Sequence, residues 1–542
     1  MKKIYQHNYD FRAIVIFSFF ALLTSCSDTW DDHYQGLSNA ENKSLLQMIE
    51  ENENLSDFLK VLQNTHLYNN NHRTEITYAD LLNDDQSLTV WAPTNGTFDV
   101  EDLLKQCRTT KGDSIVGQHF SGNHIAHTLI RSNNASWQQD PMNHINLFNN
   151  KYLYVKDIPS LASIDIPANN GLLNISSSIV PYTYNVYEGL TSLSEASHIG
   201  SFLKTYERFK LDEEASIQRG IEDGKKVYSD SVLITENNLF RMFGKINSED
   251  STYLALLPSS DTWDDVLDEA KPYFFYGTGE VADSISNYWK NLLLMQDLFF
   301  NLNEQVSIAD SIKSTNYSKF TPEYNVFYRP LDKGGILDPD NIEKELECSN
   351  GSIMYLKSWP FTKEQLYFRP VKVEGEREAN IIQNNECTFN YRTVYDSKIS
   401  NDGYLDIVPR NNANWTATFE VANTLAGTYD ICLVLLPKTV SNPYSRDFKP
   451  NKFTAVLNYV DKDGNKSSVN FDEELTNNGE TIDTVKIGRF ALPTCNYGQQ
   501  NVTVSLQIKC SIQSRQTKDY SREMYLDCIY LKPVSEGKEN EL

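Results

Sequence analysis

Basic residues are scarce in this chain. Of its 542 residues, 49 are Lys or Arg and 73 are Asp or Glu, which gives a net charge of −24 at neutral pH. The phosphates of nucleic acids and anionic membrane surfaces repel a protein this acidic, and no cluster of Lys and Arg offsets the charge. We therefore predict no nucleic acid partner.

The sequence also lacks the short motifs of common catalytic sites. It contains no Gly-x-Ser-x-Gly elbow, no phosphate-binding P-loop and no Cys-x-x-Cys pair, which argues against the chemistries that use them. Carboxylates are plentiful, so a glycosidase pair of acidic residues stays open as an alternative. We predict that the protein is not an enzyme and has no catalytic residues.

Metal-binding signatures are incomplete. His124 and His127 have the spacing of one helix face, but the glutamate of a His-Glu-x-x-His zinc motif is missing. Residues 461–465 begin like a calcium loop, yet Asp472 stands where an EF-hand has its bidentate glutamate. We predict a hairpin turn there, no metal site and no cofactor, although a structural calcium is left open.

No apolar run in the body of the chain is long enough to span a bilayer. At the amino terminus, basic residues precede the short apolar run Ala13–Leu23, which is the order of a secretory signal. The run ends in Leu23-Thr-Ser-Cys26, which resembles a bacterial lipobox. This resemblance implies removal of residues 1–25 and a lipid on Cys26 that anchors the protein to a membrane. An ordinary signal peptide is the alternative.

Residues 26–37 form a predicted acidic tether that includes Ser27-Asp-Thr-Trp-Asp-Asp32. Acidic residues directly after a lipid-bearing cysteine resemble the surface-export signal of lipoproteins of the Bacteroidetes. The resemblance implies a protein that is lipid-anchored in the outer membrane and exposed at the cell surface. A solvated spacer is the plain alternative.

A motif that occurs twice is the most informative feature of the chain. Leu88-Thr-Val-Trp-Ala-Pro-Thr-Asn-Gly-Thr-Phe98 returns in degraded form as Tyr253-Leu-Ala-Leu-Leu-Pro-Ser-Ser-Asp-Thr-Trp263. In each copy an apolar strand ends at a proline, which cannot donate a ladder hydrogen bond. The polar residues after it, such as Asn95, can cap a following helix. An Asn-Gly turn that enters a strand follows each copy, at Asn170-Gly171 and Asn350-Gly351. The shared order predicts two related domains.

This pattern resembles the fasciclin domain. Thr89–Phe98 follows the family's Thr-Val-Phe-Ala-Pro-Thr-Asn-x-Ala-Phe segment, and Asn123-His124-Ile125 follows its central helix that ends in a His-Ile pair. The resemblance implies a compact α/β fold used for adhesion or ligand binding, without catalysis. The residues that carry it, which we expect to be structural, are Ala92, Pro93, Thr94, Asn95, Asn123, His124, Ile125, Asn170, Gly171, Pro258, Asn350 and Gly351.

Residues 374–542 show strand-length alternation and no competing helical pattern. Alternate residues from Trp415 to Val421 are apolar, as in a half-buried strand. The strands around Ala426-Gly427 and the closing run Tyr525–Leu531 resemble galactose-binding-like and carbohydrate-binding-module sandwiches. Such sandwiches stack aromatic rings on the apolar faces of sugars. The candidate ligand contacts, which fall in turn-like stretches, are Tyr404, Tyr444, Tyr497 and Tyr520.

The predicted fold is multidomain. Two α/β fasciclin-like domains, residues 38–190 and 191–373, precede an all-β, jelly-roll-like sandwich of residues 374–542. We expect a non-catalytic surface lipoprotein for adhesion or for binding a glycan or a partner protein, and an accessory of an outer-membrane nutrient-uptake complex is one version of this role. A structural spacer or assembly subunit is the alternative, and a glycan hydrolase is a less favoured one.

Overall fold

The computed structural model describes residues 43–69, 72–132, 144–154, 157–222, 225–317 and 323–534. The signal segment and the whole tether, including Cys26, lie outside these residues, so the lipid anchor stays a prediction. The chain forms two compact units, one of residues up to Thr183 with Phe209–Thr235 and one of Tyr184–Arg208 with the residues from Glu236 onward. Within the described ranges no helix is both long and apolar enough to cross a membrane.

The first repeat domain is built around a mixed sheet. Its strands are β1 (His66–Asn69), β2 (His72–Thr77), β3 (Leu88–Pro93), β4 (Ile125–Ala126), β5 (His144–Asn146), β6 (Tyr152–Tyr154), β7 (Leu161–Ala168) and β8 (Gly171–Ser176). Its helices are α1 (Leu45–Glu50), α2 (Ser56–Asn64), α3 (Tyr78–Leu81), α4 (Val100–Gln106) and α5 (Thr110–Val116). The main sheet has the order β4-β3-β8-β7, and β3 runs parallel to β8.

The second repeat domain has the same sheet. Two strands, β9 (Glu207–Glu222) and β10 (Lys225–Asn237), pair with each other and belong mostly to the first compact unit. The strands of the second repeat domain are β11 (Tyr253–Pro258), β12 (Phe299–Asn301), β13 (Ser311–Tyr317), β14 (Tyr324–Tyr328), β15 (Ile342–Cys348) and β16 (Gly351–Leu356). The helices from here to the sandwich are α6 (Val186–Ser192), α7 (Ser197–Thr205), α8 (Phe240–Phe243), α9 (Ser260–Ala270), α10 (Glu280–Met295) and α11 (Lys363–Leu366). The order β12-β11-β16-β15 and the parallel register of Tyr253 with Gly351 repeat those of the first domain, where Leu88 pairs with Gly171. The predicted repeat is therefore confirmed.

A buried asparagine ties the first domain together. The Oδ1 of Asn170 accepts a hydrogen bond from the backbone N–H of Leu45 at 2.8 Å, at the start of α1. Its Nδ2 donates to the carbonyls of Leu82 at 3.0 Å and Asp84 at 2.7 Å. Gly171 follows because a Cβ there would lie 2.2 Å from the carbonyl oxygen of Leu88. The Asn-Gly pair thus joins a helix start, a loop and the central strands.

The second domain uses Asn350 in the same way. Its Oδ1 accepts from the N–H of Val186 at 2.8 Å, at the start of α6, and its Nδ2 donates to the carbonyls of Ile246 and Ser248 at 3.0 and 2.8 Å. A Cβ on Gly351 would lie 1.8 Å from the carbonyl oxygen of Tyr253. These matched contacts explain why the Asn-Gly pair survives in a copy whose strand-end motif has diverged.

Asn95 caps a different helix from the one that the sequence predicted. Its Oδ1 accepts from the N–H of Asp57 at 2.9 Å, and its Nδ2 donates to the carbonyl of Glu53 at 2.9 Å, so it caps α2, which precedes it in the chain. The following helix, α4, is capped by Asp99. The carbonyl of Thr94 accepts from the Thr97 hydroxyl and so closes the turn between them. In the second copy Ser259 does cap the following helix, α9.

Replacing Asn95 with alanine should lower the free energy of unfolding of the first unit by about 1 kcal/mol, the usual loss for a helix cap. Urea unfolding measures this change. Asp99→Ala is the matched control because it removes the cap of α4 and leaves α2 intact. If Asn95→Ala speeds amide hydrogen exchange in α4 rather than in α2, the assignment of Asn95 as the cap of α2 is wrong.

His124 is a buried structural residue at the end of the central helical segment. Its Nδ1–H donates to the carbonyl of Phe120 at 2.7 Å, and its Nε2 accepts from the N–H of Val180 at 2.9 Å. Burial lowers the pKa of His124 to about 4, so the ring is neutral at physiological pH. The neighbouring Asn123 donates to the carbonyl of Val180, and Ile125 begins β4. These contacts hold the segment Val180–Pro181 against the helix end.

The sandwich contains β17 (Val371–Glu374), β18 (Ile381–Asn385), β19 (Cys387–Thr393), β20 (Gly403–Pro409), β21 (Thr416–Glu420), β22 (Gly427–Leu436), β23 (Lys452–Val460), β24 (Lys466–Thr476), β25 (Asp483–Leu492), β26 (Ser505–Cys510) and β27 (Met524–Pro533). One sheet has the order β19-β20-β27-β22-β25, with β17 also paired to β27, and the other has the order β18-β21-β26-β23-β24. The predicted multidomain class, two α/β domains and an all-β sandwich, is confirmed. The sandwich begins at Val371, so the predicted boundary at residue 374 cuts through β17.

Two predicted details of the sandwich are confirmed, the buried face of the strand at Trp415 and the hairpin turn at residues 461–465. Trp415 and the alternate residues to Val421 are buried, and the indole N–H of Trp415 donates to the carbonyl of Arg522 at 2.7 Å. Residues 461–465 form the hairpin turn between β23 and β24, with the Asp461 carboxylate accepting from the turn's backbone.

The second repeat domain and the sandwich share one apolar core. The Tyr276 hydroxyl donates to the carbonyl of Tyr497 at 2.9 Å, and the Tyr497 ring packs edge-on against Trp289 with centroids 5.2 Å apart. Phe368 packs on Tyr429 in the same way at 5.3 Å. The two parts therefore form one folded unit.

Candidate functional site

A polar cleft lies at one end of the sandwich, where the segments after β22, after β24 and before β27 meet. We call it the loop-end cleft. It is lined by Leu436, Pro437, Lys438, Asp447, Lys449, Asn451, Asn477, Gly479, Ser521, Glu523 and Tyr525. Asn451 joins the three segments, because its N–H donates to the Oδ1 of Asn477 at 2.6 Å and its Nδ2 donates to the carbonyls of Ser521 and Glu523.

Charged groups of both signs meet in the cleft. The ammonium of Lys438 lies 3.1 Å from the Glu523 carboxylate and 3.5 Å from that of Asp447. All three side chains are partly exposed, so they can exchange these contacts for hydrogen bonds to a polar ligand. The cleft therefore offers both donors and acceptors to a molecule rich in hydroxyl groups. Its volume is only about 20 Å³, so such a molecule would lie across the mouth of the cleft.

Tyr444 stands on the segment that forms one side of the cleft, between Lys438 and Asp447. Its side chain is 92% exposed. Its backbone N–H donates to the Asn442 side chain at 3.1 Å, in a local turn that orders the segment. Tyr444 does not itself line the cleft, but its exposed ring lies on a segment that does, and such a ring can serve as a stacking platform.

The other predicted tyrosines differ from this. Tyr404 and Tyr497 are 3% and 2% exposed, so the prediction that they contact a ligand is wrong. Tyr404 packs against Tyr525 in a small core beneath the loop end, and Tyr497 fills the core shared with the second repeat domain. Tyr520 is half-buried, with the Lys452 ammonium 5.8 Å from its ring centre. A turn-like sequence does not show whether a tyrosine ring is exposed to solvent or packs into a core.

A cluster of buried carboxylates lies elsewhere in the sandwich. Ligand atoms of Glu374, Asp527 and Cys528 lie within 4.8 Å of one another, and all three residues are buried. The antiparallel register of β17 and β27 places Glu374 opposite Cys528 and so creates the cluster. Ser400 bridges it, donating its N–H to Asp527 at 3.0 Å and its hydroxyl to Glu374 at 2.7 Å.

The electrostatics of this carboxylate cluster favour a cation. Burial raises the pKa of Glu374, and burial together with the nearby carboxylates raises that of Asp527 to about 7. One oxygen of Glu374 and one of Glu376 are buried without a hydrogen-bond partner among the described residues. Oxygen donors suit Ca²⁺ or Mg²⁺, and burial raises the pKa of the Cys528 thiol, which keeps it protonated. Glu374, Glu376 and Asp527 are thus the residues that could hold a divalent ion.

The sequence analysis missed this cluster. Two glutamates in alternation after an apolar strand, Glu374 and Glu376, are a usable signal for paired ligands. The histidines considered for a metal are spread over separate aromatic contacts. His124 packs against Phe58 and Phe120, and His127 stacks on Phe148.

Comparisons with known proteins give structural likeness only. No protein-family model and no curated protein matches the chain. The CBM22-1 xylan-binding domain from Paenibacillus barcinonensis Xyn10C has 9% identity and a TM-score of 0.21, and the match covers 31% of this chain and 95% of that one. CBM35 from the same organism has 14% identity and a TM-score of 0.19, and the match covers 30% of this chain and 99% of that one. A FAS1 domain pair from the insect cell adhesion molecule Fasciclin I has 12% identity and a TM-score of 0.20, and the match covers 58% of this chain and 99% of that one. At these scores the fold assignment rests on the strand orders and registers given above.

Proposed function

We propose that this protein is a non-catalytic surface lipoprotein whose sandwich binds a glycan at the loop-end cleft. The observation that carries the proposal is the exposed ring of Tyr444 on the chain segment that also supplies Lys438 and Asp447 to the cleft. A sugar presents an apolar face to an aromatic ring and hydroxyl groups to charged side chains, and this segment and the cleft together offer both kinds of contact.

The proposal does not include glycan hydrolysis. Asp447 and Glu523 both contact the Lys438 ammonium. Neither carboxylate therefore sits in the apolar surroundings that turn a carboxyl group into a general acid. The residues of the cleft are suited to holding a sugar in place.

Anchoring is the second part of the proposal. The lipobox-like Leu23-Thr-Ser-Cys26 and the acidic residues after it support attachment to the outer membrane, with the folded units exposed at the cell surface. A role as spacer or assembly subunit is the alternative, and the continuous core of the second repeat domain and sandwich favours it, because such a core suits a rigid support.

Replacing Tyr444 with alanine should weaken glycan binding by about tenfold, since an aromatic contact of this kind contributes up to about 1.5 kcal/mol. A glycan array with the chain from residue 27 identifies the sugar, and calorimetry then measures its affinity for both proteins. Tyr328→Ala, which removes an exposed tyrosine of the second repeat domain, is the matched control and should bind normally. Equal loss in both variants would refute the assigned site. Capture of outer-membrane proteins without any sugar binding would favour the assembly role.

A further inference from the structure

The second repeat domain contains an apolar cavity of about 550 Å³. Leu254 on β11 and Met354 on β16 form its floor. Ile308, before β13, and Leu331 and Leu337, after β14, form its walls. Eight of its ten lining residues are apolar. Protein interiors rarely leave voids much larger than a water molecule, whereas ligand pockets usually measure about 300–1,000 Å³.

The two repeat domains carry different side chains on the matching face of the sheet. The matched registers of the two sheets place Ser352 at the position of Leu172 and Leu256 at that of Trp91. Leu172 and Trp91 are completely buried, and Trp91 packs in a cluster of apolar side chains on this face of the sheet. The second domain has smaller side chains at these two positions and larger ones at two others, where Leu254 and Met354 replace Thr89 and Asn174. Ser352, Leu254 and Met354 line the cavity, so this face of the sheet is more apolar at the cavity than a copy of the first domain would be, except at Ser352.

The rim of the cavity is apolar and exposed. Leu331 is 45% exposed, and Val306, on the loop between the lining residues Leu302 and Ile308, is fully exposed. Single exposed apolar residues are common, but here they surround the mouth of an apolar cavity. A ligand that enters the cavity would cover them.

The charge at the cavity selects the ligand. Glu345 on the edge strand β15 lines the cavity and is exposed, and Glu347 lies on the same face of that strand. None of the described lining residues is basic. A carboxylate at the mouth repels fatty acids and other anionic amphiphiles and attracts a cation.

We propose that this cavity binds a small cationic amphiphile, with its apolar body between Leu254, Met354 and Leu331 and its ammonium or guanidinium group at Glu345. The size of the cavity suits a small molecule, and the site is separate from the loop-end cleft. Binding of a glycan to the sandwich is therefore independent of it.

Calorimetry on the chain from residue 27 tests the proposal, with decyltrimethylammonium and decyl sulfate as probes below their micelle concentrations. The cation should bind saturably with one site per chain, and the sulfate more weakly. Glu345→Gln should reduce the preference for the cation by about two- to fivefold, as for an exposed ion pair. Glu343→Gln, on the same strand but outside the cavity lining, is the matched control and should leave the preference unchanged.

Ser352→Leu tests the cavity itself, because it restores the residue of the first domain at the matched position. It should weaken binding of the cation by more than about tenfold, since the space for the apolar body is filled. Three results would overturn the proposal. They are equal affinity for the two probes, binding of the cation by Ser352→Leu as tight as by the unaltered chain, and no saturable binding at all. The comparison of the two probes on the unaltered chain decides the charge preference even if Ser352→Leu fails to fold. Binding of a basic, apolar peptide without binding of decyltrimethylammonium would assign the cavity to a protein partner and overturn the small-ligand proposal.

Discussion

Asn350→Ala should destabilise the second unit by about 3–5 kcal/mol, a loss that few single substitutions reach. The change removes three hydrogen bonds at once and leaves the N–H of Val186 and the carbonyls of Ile246 and Ser248 without their partner. Each buried backbone group that loses its partner costs about 1–3 kcal/mol. Urea unfolding, with the transitions of the two units fitted separately, measures the loss.

Asn291→Ala is the control for this prediction. Asn291 lies on α10 in the same unit and donates one exposed hydrogen bond, to the carbonyl of Asn287. Its replacement should change stability by less than about 0.5 kcal/mol. Asn170→Ala should show the same large loss as Asn350→Ala, but in the transition of the first unit. If Asn350→Ala behaves like Asn291→Ala, the asparagine does not hold the domain together.

Calcium should raise the melting temperature of the second unit by about 5–10 °C relative to a chelator. The carboxylates of Glu374 and Asp527 are close together and buried, and the charge of the half-buried Glu376 also acts on Asp527. A bound cation would offset their repulsion and satisfy the unpartnered oxygens of Glu374 and Glu376. A ligand at a hundredfold excess over its Kd contributes about 2.7 kcal/mol. For a domain of this size each kcal/mol corresponds to about 2–4 °C. Differential scanning calorimetry with calcium and with a chelator gives the shift.

Two variants make the calcium experiment specific. Asp527→Asn keeps the shape of the side chain and can still accept the hydrogen bond from Ser400, but it should abolish most of the response to calcium. Asp430→Asn removes a carboxylate of the same sandwich that pairs with Arg489 and Lys486, and it should respond normally. A response that survives in Asp527→Asn would show that calcium acts elsewhere. No response in the unaltered chain would rule out a stabilising calcium site.

The features that the sequence predicted correctly depend on local chemistry. Pro93 and Pro258 end their strands because proline has no N–H to donate. Gly171 and Gly351 enter their strands because a Cβ would strike the neighbouring strand's backbone. Trp415 is buried because strand alternation places it on the inner face. Each of these effects is set by a residue and its near neighbours in the chain, so a repeated motif was enough to predict repeated domains.

Pairings between distant residues escaped the sequence analysis. Asn95 caps a helix that lies 38 residues before it, through Asp57, and therefore not the helix that follows it. Tyr404 and Tyr497 occur in turn-like sequences, but their rings fill cores to which distant strands contribute. A turn residue's exposure depends on what packs over it, and this information is not local.

The sequence by itself determined the α/β repeat, the β-rich carboxyl-terminal part, the structural Asn-Gly pairs and the acidic character of the protein, because these follow from propensity, periodicity and charge. Only the tertiary structure decided where the sites lie. Strand register brings Glu374 to Asp527, the meeting of three segments places Lys438 beside Glu523, and the segments that flank β13 and β14 meet the sheet around the apolar cavity. Such sites form where segments far apart in the chain meet, and packing alone specifies that meeting.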